Sequence, residues 1–373
     1  MVNPKYGMHP SIILLSILSL FSPRMPGGEN EISVPMKSNR LDVQSFDLSE
    51  MVESVEYIRI DDSILLGNII DIKFWNNCFY LYDSSHQSVV VIDRDGRIIS
   101  NISHHGRASN EYISLHAYAI GKIDGSVYIF DNSGRKIVVY SKEGAYLQSN
   151  PLSDDLAYFR DIEVTPKETI LLYNPLWMKN KYDALVELDK SGRKLRTLFE
   201  NDKKHQLTVA HIPSDYFSVL SDGSITLIGR EDRDLFYRLS PDGQLSFPYH
   251  LVTDATIPPE LKKKVNLTPE EMAEDNYYQK LAYQETDNWL CFAVKYQKRT
   301  KYCFYNKQKR IQYVINNVKD IRDPFETQLT RYKRGCGPYL FTVLSNPESA
   351  AYKRAVSEVP PGDNPIIVLA KTR

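Results

Sequence analysis

The stretch Val89–Ile99, VVVIDRDGRII, has the pattern of a β-strand, a tight turn and a second strand. Val and Ile fit the pleated surface of a sheet, and Asp-Gly supplies the positive φ that a tight hairpin requires. Similar stretches recur downstream, and their turn glycines are Gly96, Gly144, Gly192 and Gly243. The pattern thus repeats at intervals of 48, 48 and 51 residues. Strand patterns with a period of about 40 to 50 residues are typical of β-propeller blades, each a four-stranded sheet.

Two further strand patterns precede each of these hairpins. Second strands are predicted at residues 78–83, 126–131, 169–174 and 224–229. Less regular segments before them are predicted to be the innermost strands, at residues 69–75, 113–119, 158–164 and 215–220. Their mixed polarity suits strands that line a wet central channel.

Two more repeats complete the chain. A fifth spans residues 288–315, with Lys309 in the position of the turn glycine. The sixth is assembled from residues 322–332, 337–344 and 364–372. It lacks a fourth strand, which residues 52–60 can supply by pairing with the C-terminal strand, and this pairing closes a ring without exposed sheet edges. We therefore expect an all-β fold, a six-bladed β-propeller with four-stranded antiparallel blades, over residues 45–373.

Short helical insertions are expected at two places. Thr268–Glu271, TPEE, is a capping box with Pro in the first helical turn, so a helix is predicted to start there. It belongs to an insertion at about residues 256–285. A second helix is predicted to open at Asn346–Glu348, before the terminal strand.

Charge and cysteine content exclude several classes of function. The chain has 46 Lys and Arg against 47 Asp and Glu, so it lacks the basic footprint of a nucleic-acid-binding protein. The four cysteines form no CxxC pair and have no His at zinc-ligand spacing. Cys291 and Cys303 fall on neighbouring predicted strands, where they are either buried thiols or, in an oxidising compartment, a disulfide. We predict no metal site and no cofactor.

The N-terminal residues 1–28 resemble an export signal. The ten-residue apolar run Ile12–Phe21 follows Lys5 and is too short to span a bilayer. The alternative is a buried segment of the folded domain. No cysteine lies nearby to carry a lipid anchor. We expect an exported monomer in the periplasm or at the cell surface, without a transmembrane span in the mature protein.

These residues resemble the six-bladed, NHL-like β-propellers found as exported proteins and lipoproteins in Bacteroides-type bacteria. The likeness rests on the strand-turn-Gly repeat, on HHGRASNEYISL at 104–115, and on the C-terminal GDNPIIVLAKTR. The second segment stands where the family has G-x-G-P-G-E-Y; Gly106, Glu111 and Tyr112 match, while residues 107–110 replace the glycine-proline core. The resemblance implies the fold and the exported location.

In a propeller, the loops that lead from one blade to the next converge around the mouth of the channel, which makes them the default binding site. The candidate ligand-binding residues in these loops are Arg107, Glu111, Tyr112, Arg160, Asp161, His211, Asp215, Tyr216, Tyr278 and Arg322. This mixture of Tyr, Arg and carboxylates suits a polar ligand such as a glycan or a peptide.

Other roles remain open for several of these residues. Glu111 and Tyr112 either contact a ligand or fix the loop by hydrogen bonds to its backbone. Arg160 and Asp161 either clamp a ligand or form ion pairs between blades. The same two alternatives apply to Arg322 and its neighbour Asp323. The adjacent His104 and His105 are metal or acid-base candidates, although solvated loop residues are the more common case.

The sequence contains no GxSxG elbow, P-loop, HExxH or GxGxxG motif, and no catalytic residue is predicted. The favoured hypothesis is a non-catalytic binding propeller of the cell envelope that recognises a polar small molecule, a glycan, a peptide or an envelope protein at the channel mouth. The alternative is a metal-dependent propeller hydrolase or lyase, since such enzymes assemble their sites from single residues on several blades. Convergence of His104, Glu111, Asp161, His211 and Asp215 on one point would favour the enzyme.

Overall fold

A computed structural model describes residues 30–174, 183–200, 216–228, 234–255, 279–324 and 334–373. Within these ranges the chain is all-β apart from short helices, with mostly antiparallel four-stranded blades in a propeller arrangement. The predicted N-terminal segment 1–28 and the predicted helix at Thr268 lie outside the described residues.

Four separate four-stranded sheets, here called blades A to D, follow the sequence repeat within the described ranges. Blade A contains Ile69–Trp75, Cys78–Asp83, Ser88–Asp93 and Ile98–Ile102. Blade B contains Ala117–Ile120, Val127–Asp131, Lys136–Tyr140 and Tyr146–Pro151. Blade C contains Asp161–Val164, Ile170–Tyr173, Asp183–Leu188 and Lys194–Glu200. Blade D contains Gln279–Glu285, Trp289–Tyr296, Arg299–Asn306 and Ile311–Ile315.

A nine-stranded sheet contains the remaining repeats. Its strands, in spatial order, are Asn30–Ser33, Leu245–Val252, Leu235–Leu239, Ile225–Ile228, Phe217–Val219, Arg334–Cys336, Tyr339–Leu344, Ile366–Thr372 and Val52–Arg59. A single parallel pair, Val219 with Cys336, joins the two halves. The strand pairing therefore gives four separate blades where the sequence predicted six. Val52–Arg59 pairs antiparallel with Ile366–Thr372, the N-terminal to C-terminal pairing that the sequence predicted.

The smaller elements lie at the edges of these sheets. Phe46–Asp47 pairs in parallel with Ile321–Arg322. The 3-10 helices are Leu48–Glu50 and Val318–Asp320, and the α-helix is Ala350–Ala355. The α-helix begins after its N-cap Ser349 and not at the predicted Asn346.

Packing between sheets explains why the second and third strands of a blade read as continuous apolar runs. Every residue of Cys78–Asp83 is buried, because both faces of blade A contact neighbouring sheets. Aromatic pairs fill these contacts: Tyr82 with Tyr118 at 6.4 Å, Phe74 with Tyr339 at 5.6 Å, Tyr173 with Phe217 at 6.1 Å, and Phe236 with Phe292 at 5.1 Å. Outer strands are more exposed, as in Tyr146–Pro151.

The packed chain begins before the predicted boundary at residue 45. Asn30–Ser33 adds in parallel to the outer strand Leu245–Val252, and Ile32, Val34 and Met36 are fully buried. Farther along this segment, Asp42 accepts a hydrogen bond from the buried Lys301 ammonium group at 2.9 Å. The four cysteines are free thiols, including Cys291 and Cys303, which lie on adjacent strands of blade D.

Gly96, the turn glycine of the opening stretch, also allows the turn to pack closely against the strand Val52–Arg59. Gly96 has φ +87°, and a Cβ there would lie 1.9 Å from the carbonyl oxygen of Arg59. Gly144 occupies the equivalent turn of blade B with φ +89°, but its Cβ would meet nothing closer than 3.4 Å. We expect Gly144→Ala to destabilise the fold by about 1 to 2 kcal/mol through backbone strain alone. Gly96→Ala adds an overpacking penalty of about 1 to 3 kcal/mol.

Urea unfolding of the two variants beside the parent chain measures this difference. Equal losses of stability in both variants would show that the Gly96 turn does not pack against the Val52–Arg59 strand as described.

Candidate functional site

The predicted binding residues that the structure describes lie at or near the points where the chain enters the innermost strands. We call the side of the molecule at the amino ends of these strands the loop face. Arg107, Glu111 and Tyr112 belong to the loop between blades A and B, and Arg160 and Asp161 lie at the start of blade C. Tyr216 immediately precedes Phe217–Val219, and Arg322 ends the short strand Ile321–Arg322. His211, Asp215 and Tyr278 lie outside the described residues.

Tyr112 fixes the loop between blades A and B. Its side chain is fully buried, and its one hydroxyl proton is shared between the carbonyl oxygens of Gln87 at 2.6 Å and Ile102 at 3.1 Å. Burial raises the pKa of Tyr112 above its ordinary value, so the phenol remains a hydrogen-bond donor. A buried phenol with two backbone partners shapes the loop and does not present itself at the surface.

Glu111 holds the same loop through a hydrogen bond within the loop itself. One carboxylate oxygen accepts the Ala108 N–H at 3.0 Å. The Glu111 carboxylate also occupies the space that a Cβ on Gly106 would need, and Gly106 has φ +154°. Glu111 therefore bonds to the backbone of its own loop and Tyr112 anchors that loop to blade A, while ligand contact by either residue stays a prediction.

Asp161 and Tyr216 are brought together between blade C and the nine-stranded sheet. The Asp161 carboxylate accepts the backbone N–H of Tyr216 at 3.1 Å, and both residues are buried. The Tyr216 ring packs edge-on against Tyr173 with 4.9 Å between centroids. This contact joins neighbouring sheets below the surface of the loop face.

Among the described residues that were predicted to bind a ligand, the arginines are exposed to solvent. Arg107 and Arg160 are exposed, and neither guanidinium group makes a hydrogen bond or an ion pair with a described residue. Burial, with a contribution from the nearby Arg160 cation, lowers the pKa of His116 at the start of blade B. Arg322 is exposed as well but pairs with Asp47 at 3.3 Å.

A central cavity lies at the opposite, carboxyl ends of the innermost strands. Phe74, Phe217, Val219 and Phe341 line it together with three charged side chains, Lys73, Lys122 and Glu163. Its volume is about 20 Å³, room for about one water molecule. This cavity is too small to hold a glycan or a peptide.

The three charged side chains form an ionic trio that spans blades A, B and C. Glu163 lies 2.9 Å from the Lys122 ammonium and 3.5 Å from the Lys73 ammonium. The Lys122 ammonium lies 4.9 Å from the centre of the Trp75 ring, and the Lys73 ammonium 5.0 Å from that of Tyr118. All three side chains are at most 6% exposed. The sequence did not predict this trio; its one local signal is Lys73, which shares the strand Ile69–Trp75 with Asp71 and five apolar residues.

In the described part of the chain, no group of three or more His, Cys, Asp and Glu side chains is placed to hold a metal ion. Burial raises the pKa of the Cys336 thiol beside the cavity to about 12, which leaves it protonated and unreactive at neutral pH. Nothing in the described ranges supports the metal-dependent hydrolase or lyase. No described helix has the length and apolar character needed to cross a membrane.

Fold and site together define a β-propeller whose loops are held by buried side chains and whose exposed arginines face solvent. The chain belongs to the family described as Domain of unknown function (DUF4934), which matches residues 31–371. A comparison with curated proteins gives no match.

Two solved structures share this fold. A Bacteroides fragilis protein predicted to be exported is 15% identical with a TM-score of 0.67, over 92% of this chain and 99% of that chain. A member of the DUF4221 family from Bacteroides vulgatus is 9% identical with a TM-score of 0.52, over 87% of this chain and 98% of that chain. Both similarities concern the fold, and the NHL-like resemblance stays a prediction.

Proposed function

We propose that this chain is a non-catalytic binding propeller of the cell envelope, which recognises a polar ligand, a glycan or a peptide, or a partner protein at the loop-face mouth of the channel. The observation that carries the proposal is the pair of exposed arginines, Arg107 and Arg160, on the loops that enter adjacent blades. Guanidinium groups bind carboxylates in a bidentate geometry. The ligand class that fits is therefore a carboxylate-bearing glycan or an acidic peptide.

A six-bladed, closed ring underlies this proposal. The two halves of the nine-stranded sheet each contain the four antiparallel strands of one blade, and a single residue pair links them. Counted as separate blades, they bring the total to six. The pairing of Val52–Arg59 with Ile366–Thr372 supports closure, because it completes the last blade with a strand from the beginning of the chain.

Export to the periplasm or the cell surface is part of the same proposal. The signal-like segment at residues 1–28 supports it, as does the fold shared with a Bacteroides fragilis protein that is predicted to be exported. A binding role outside the cytoplasm also fits the four free cysteines. Three of them are buried, so they need no reducing environment to stay as free thiols.

Substitution of the exposed arginines tests the binding site. A glycan and peptide array with the full chain identifies a ligand, and calorimetric titration then gives its Kd. We expect Arg107→Ala and Arg160→Ala each to weaken binding by about 10- to 100-fold, the effect of losing one charge-assisted hydrogen-bond pair of about 1.5 to 3 kcal/mol. Melting temperatures should change little, because both side chains are exposed and neither guanidinium group makes a hydrogen bond or an ion pair with a described residue.

Arg193→Ala is the matched control. Arg193 is 79% exposed on the outer turn of blade C, where it pairs with Asp189. Its substitution should leave the Kd unchanged. Array ligands that bind the two loop-face variants as tightly as the parent chain would place recognition elsewhere on the molecule.

A further inference from the structure

A second pocket lies on the flank of blade A, away from the channel. The segment 61–68, which leads from the strand Val52–Arg59 into blade A, forms one wall, and strands of blade A form the other. We call it the flank pocket, and its volume is about 100 Å³. This is five times the volume of the central cavity, which is about 20 Å³.

The wall formed by segment 61–68 is held in place by the buried side chain of Asn364. The Asn364 amide donates to the carbonyl oxygens of Asp61 and Ile64, both at 2.7 Å, and accepts the Leu66 N–H at 2.8 Å. These three bonds fix the wall, so the pocket exists before any ligand arrives. Leu65 and Leu66 give this wall an apolar surface, and Leu65 is 62% exposed.

The opposite wall contains a histidine backed by a buried carboxylate. Asp83 is 1% exposed and lies 2.7 Å from Nδ1 of His86. Burial acts to raise the pKa of Asp83, but hydrogen bonds from the Gly67 N–H, His86 and the Ser85 N–H hold that pKa below its ordinary value. A carboxylate only accepts hydrogen bonds, so Nδ1 of His86 is the donor, and in the neutral ring Nε2 is left as an acceptor.

Three further polar side chains line this wall without partners of their own. The hydroxyl of Ser88 makes no hydrogen bond with any described residue, although Ser88 is 1% exposed. Within the same described ranges, the side chains of Asn101 and Ser103 make none either. Asn101 and Ser103 are exposed, so their side chains can reach a molecule in the pocket. The pocket therefore offers donors and acceptors that the described chain leaves open to water or a ligand.

No Lys or Arg lines the flank pocket, and the one carboxylate has its hydrogen bonds supplied by the chain itself. The site thus presents neutral donors and acceptors opposite an apolar wall. A sugar residue matches this arrangement, because its hydroxyl groups exchange hydrogen bonds while the C–H face of its ring packs on aliphatic side chains.

We propose that the flank pocket binds a neutral, hydroxyl-rich small molecule, a sugar residue, between Leu65 on one wall and His86, Ser88 and Asn101 on the other. This site is separate from the loop face and does not depend on the ligand bound there.

Titration of the full chain with D-glucose, D-galactose and N-acetyl-D-glucosamine tests the proposal. NMR follows the imidazole signals of His86, and calorimetry gives the Kd. We expect at least one of the three sugars to shift the His86 signals with a saturable, millimolar or tighter Kd. Asn101→Ala and Ser88→Ala should each weaken that binding by about tenfold. Asn101 is exposed, so the first variant keeps the fold even if the second does not.

Ser149→Ala is the matched control, because Ser149 pairs with Val138 in blade B as Asn101 pairs with Val90 in blade A. It should bind sugar like the parent chain, as should the loop-face variant Arg107→Ala. The proposal is overturned if none of the three sugars shifts the His86 signals, or if glucuronate binds while the neutral sugars do not. Binding that survives both Asn101→Ala and Ser88→Ala would also overturn it.

Discussion

A chain shortened to begin at residue 61 is expected to lose cooperative unfolding. The deletion removes Val52–Arg59, which pairs with Ile366–Thr372, and uncovers the buried side chains of Ile367 and Leu369. It also removes the buried Ile58 and Ile60. At about 1.5 to 3 kcal/mol for each large apolar side chain, the loss approaches the whole stability of a domain, about 5 to 15 kcal/mol. Differential scanning calorimetry and size-exclusion chromatography measure the outcome.

Two longer chains distinguish the contribution of the strand Val52–Arg59 to stability from that of the segment before it. A chain that begins at residue 30 keeps every described residue and should melt like the parent chain. A chain that begins at residue 52 loses Asn30–Ser33 and the buried pair of Asp42 with Lys301 but keeps the closing strand, so it should melt earlier and still cooperatively. If the chain that begins at residue 61 also melts as one cooperative unit near the parent temperature, the closed ring is wrong.

Strand positions could be predicted from the sequence where apolar runs and glycine turns set them. The innermost strand of blade A was predicted at residues 69–75 and is Ile69–Trp75. In blade B the prediction began at residue 113, but the strand is Ala117–Ile120. The N–H groups of Ile113 and Ser114 instead bind the Asp131 carboxylate, at 2.8 and 3.1 Å. A carboxylate from another strand thus replaced the sheet partner, which no local pattern reveals.

The same competition by polar side chains explains two smaller errors. Asn346 was predicted to open the helix, but its side chain caps a preceding turn at the Glu348 N–H, and Ser349 caps the helix itself at the Tyr352 N–H. Lys309 was assigned to the turn glycine position of the fifth repeat, whereas the positive φ of 55° falls on Arg310. Asn306 accepts the Lys309 N–H at 2.9 Å, which holds Lys309 in the turn and shifts the left-handed position by one residue.

Which loop residues face a ligand could be predicted less well from the sequence, because their burial depends on how the sheets pack. Loop position suggested that Tyr112, Asp161 and Tyr216 face a ligand, yet each is buried and holds a loop or a sheet contact. The Tyr112 hydroxyl and the Asp161 carboxylate bond to backbone groups that lie far from them along the chain. Exposure of Arg107 and Arg160 agrees with their loop positions, and their role in recognition stays a prediction.

The ionic trio could not have been predicted from spacing. Lys73, Lys122 and Glu163 lie on the innermost strands of three blades or just after them, and they meet because blades A and C approach each other across the centre. Such a contact depends on how the separate blades pack around the centre. The stability that is lost when the trio is disrupted therefore tests whether the blades pack at the centre as described.

Glu163→Gln is expected to destabilise the fold by about 3 to 5 kcal/mol. The substitution keeps the shape of the side chain but leaves the Lys73 and Lys122 ammonium groups, 5% and 6% exposed, without the carboxylate between them. Removal of one partner from a buried ionic group leaves an uncompensated charge, which accounts for a loss of this size. Urea unfolding at neutral pH measures it. Glu348→Gln, at the exposed pair with Lys353, should change stability by at most about 0.5 kcal/mol.

Removal of all three charges distinguishes an uncompensated charge from a simple loss of packing. In the variant Lys73→Met, Lys122→Met, Glu163→Gln, none of the three charges of the trio remains, and methionine fills the space of the lysine stems beside Phe74 and Phe341. Buried ionic groups replaced together by apolar residues of similar volume often leave stability unchanged or raise it. The triple variant should therefore recover most of what Glu163→Gln loses. A triple variant that is less stable than Glu163→Gln would mean that the lysines stabilise the centre through their ring contacts with Trp75 and Tyr118, independently of Glu163.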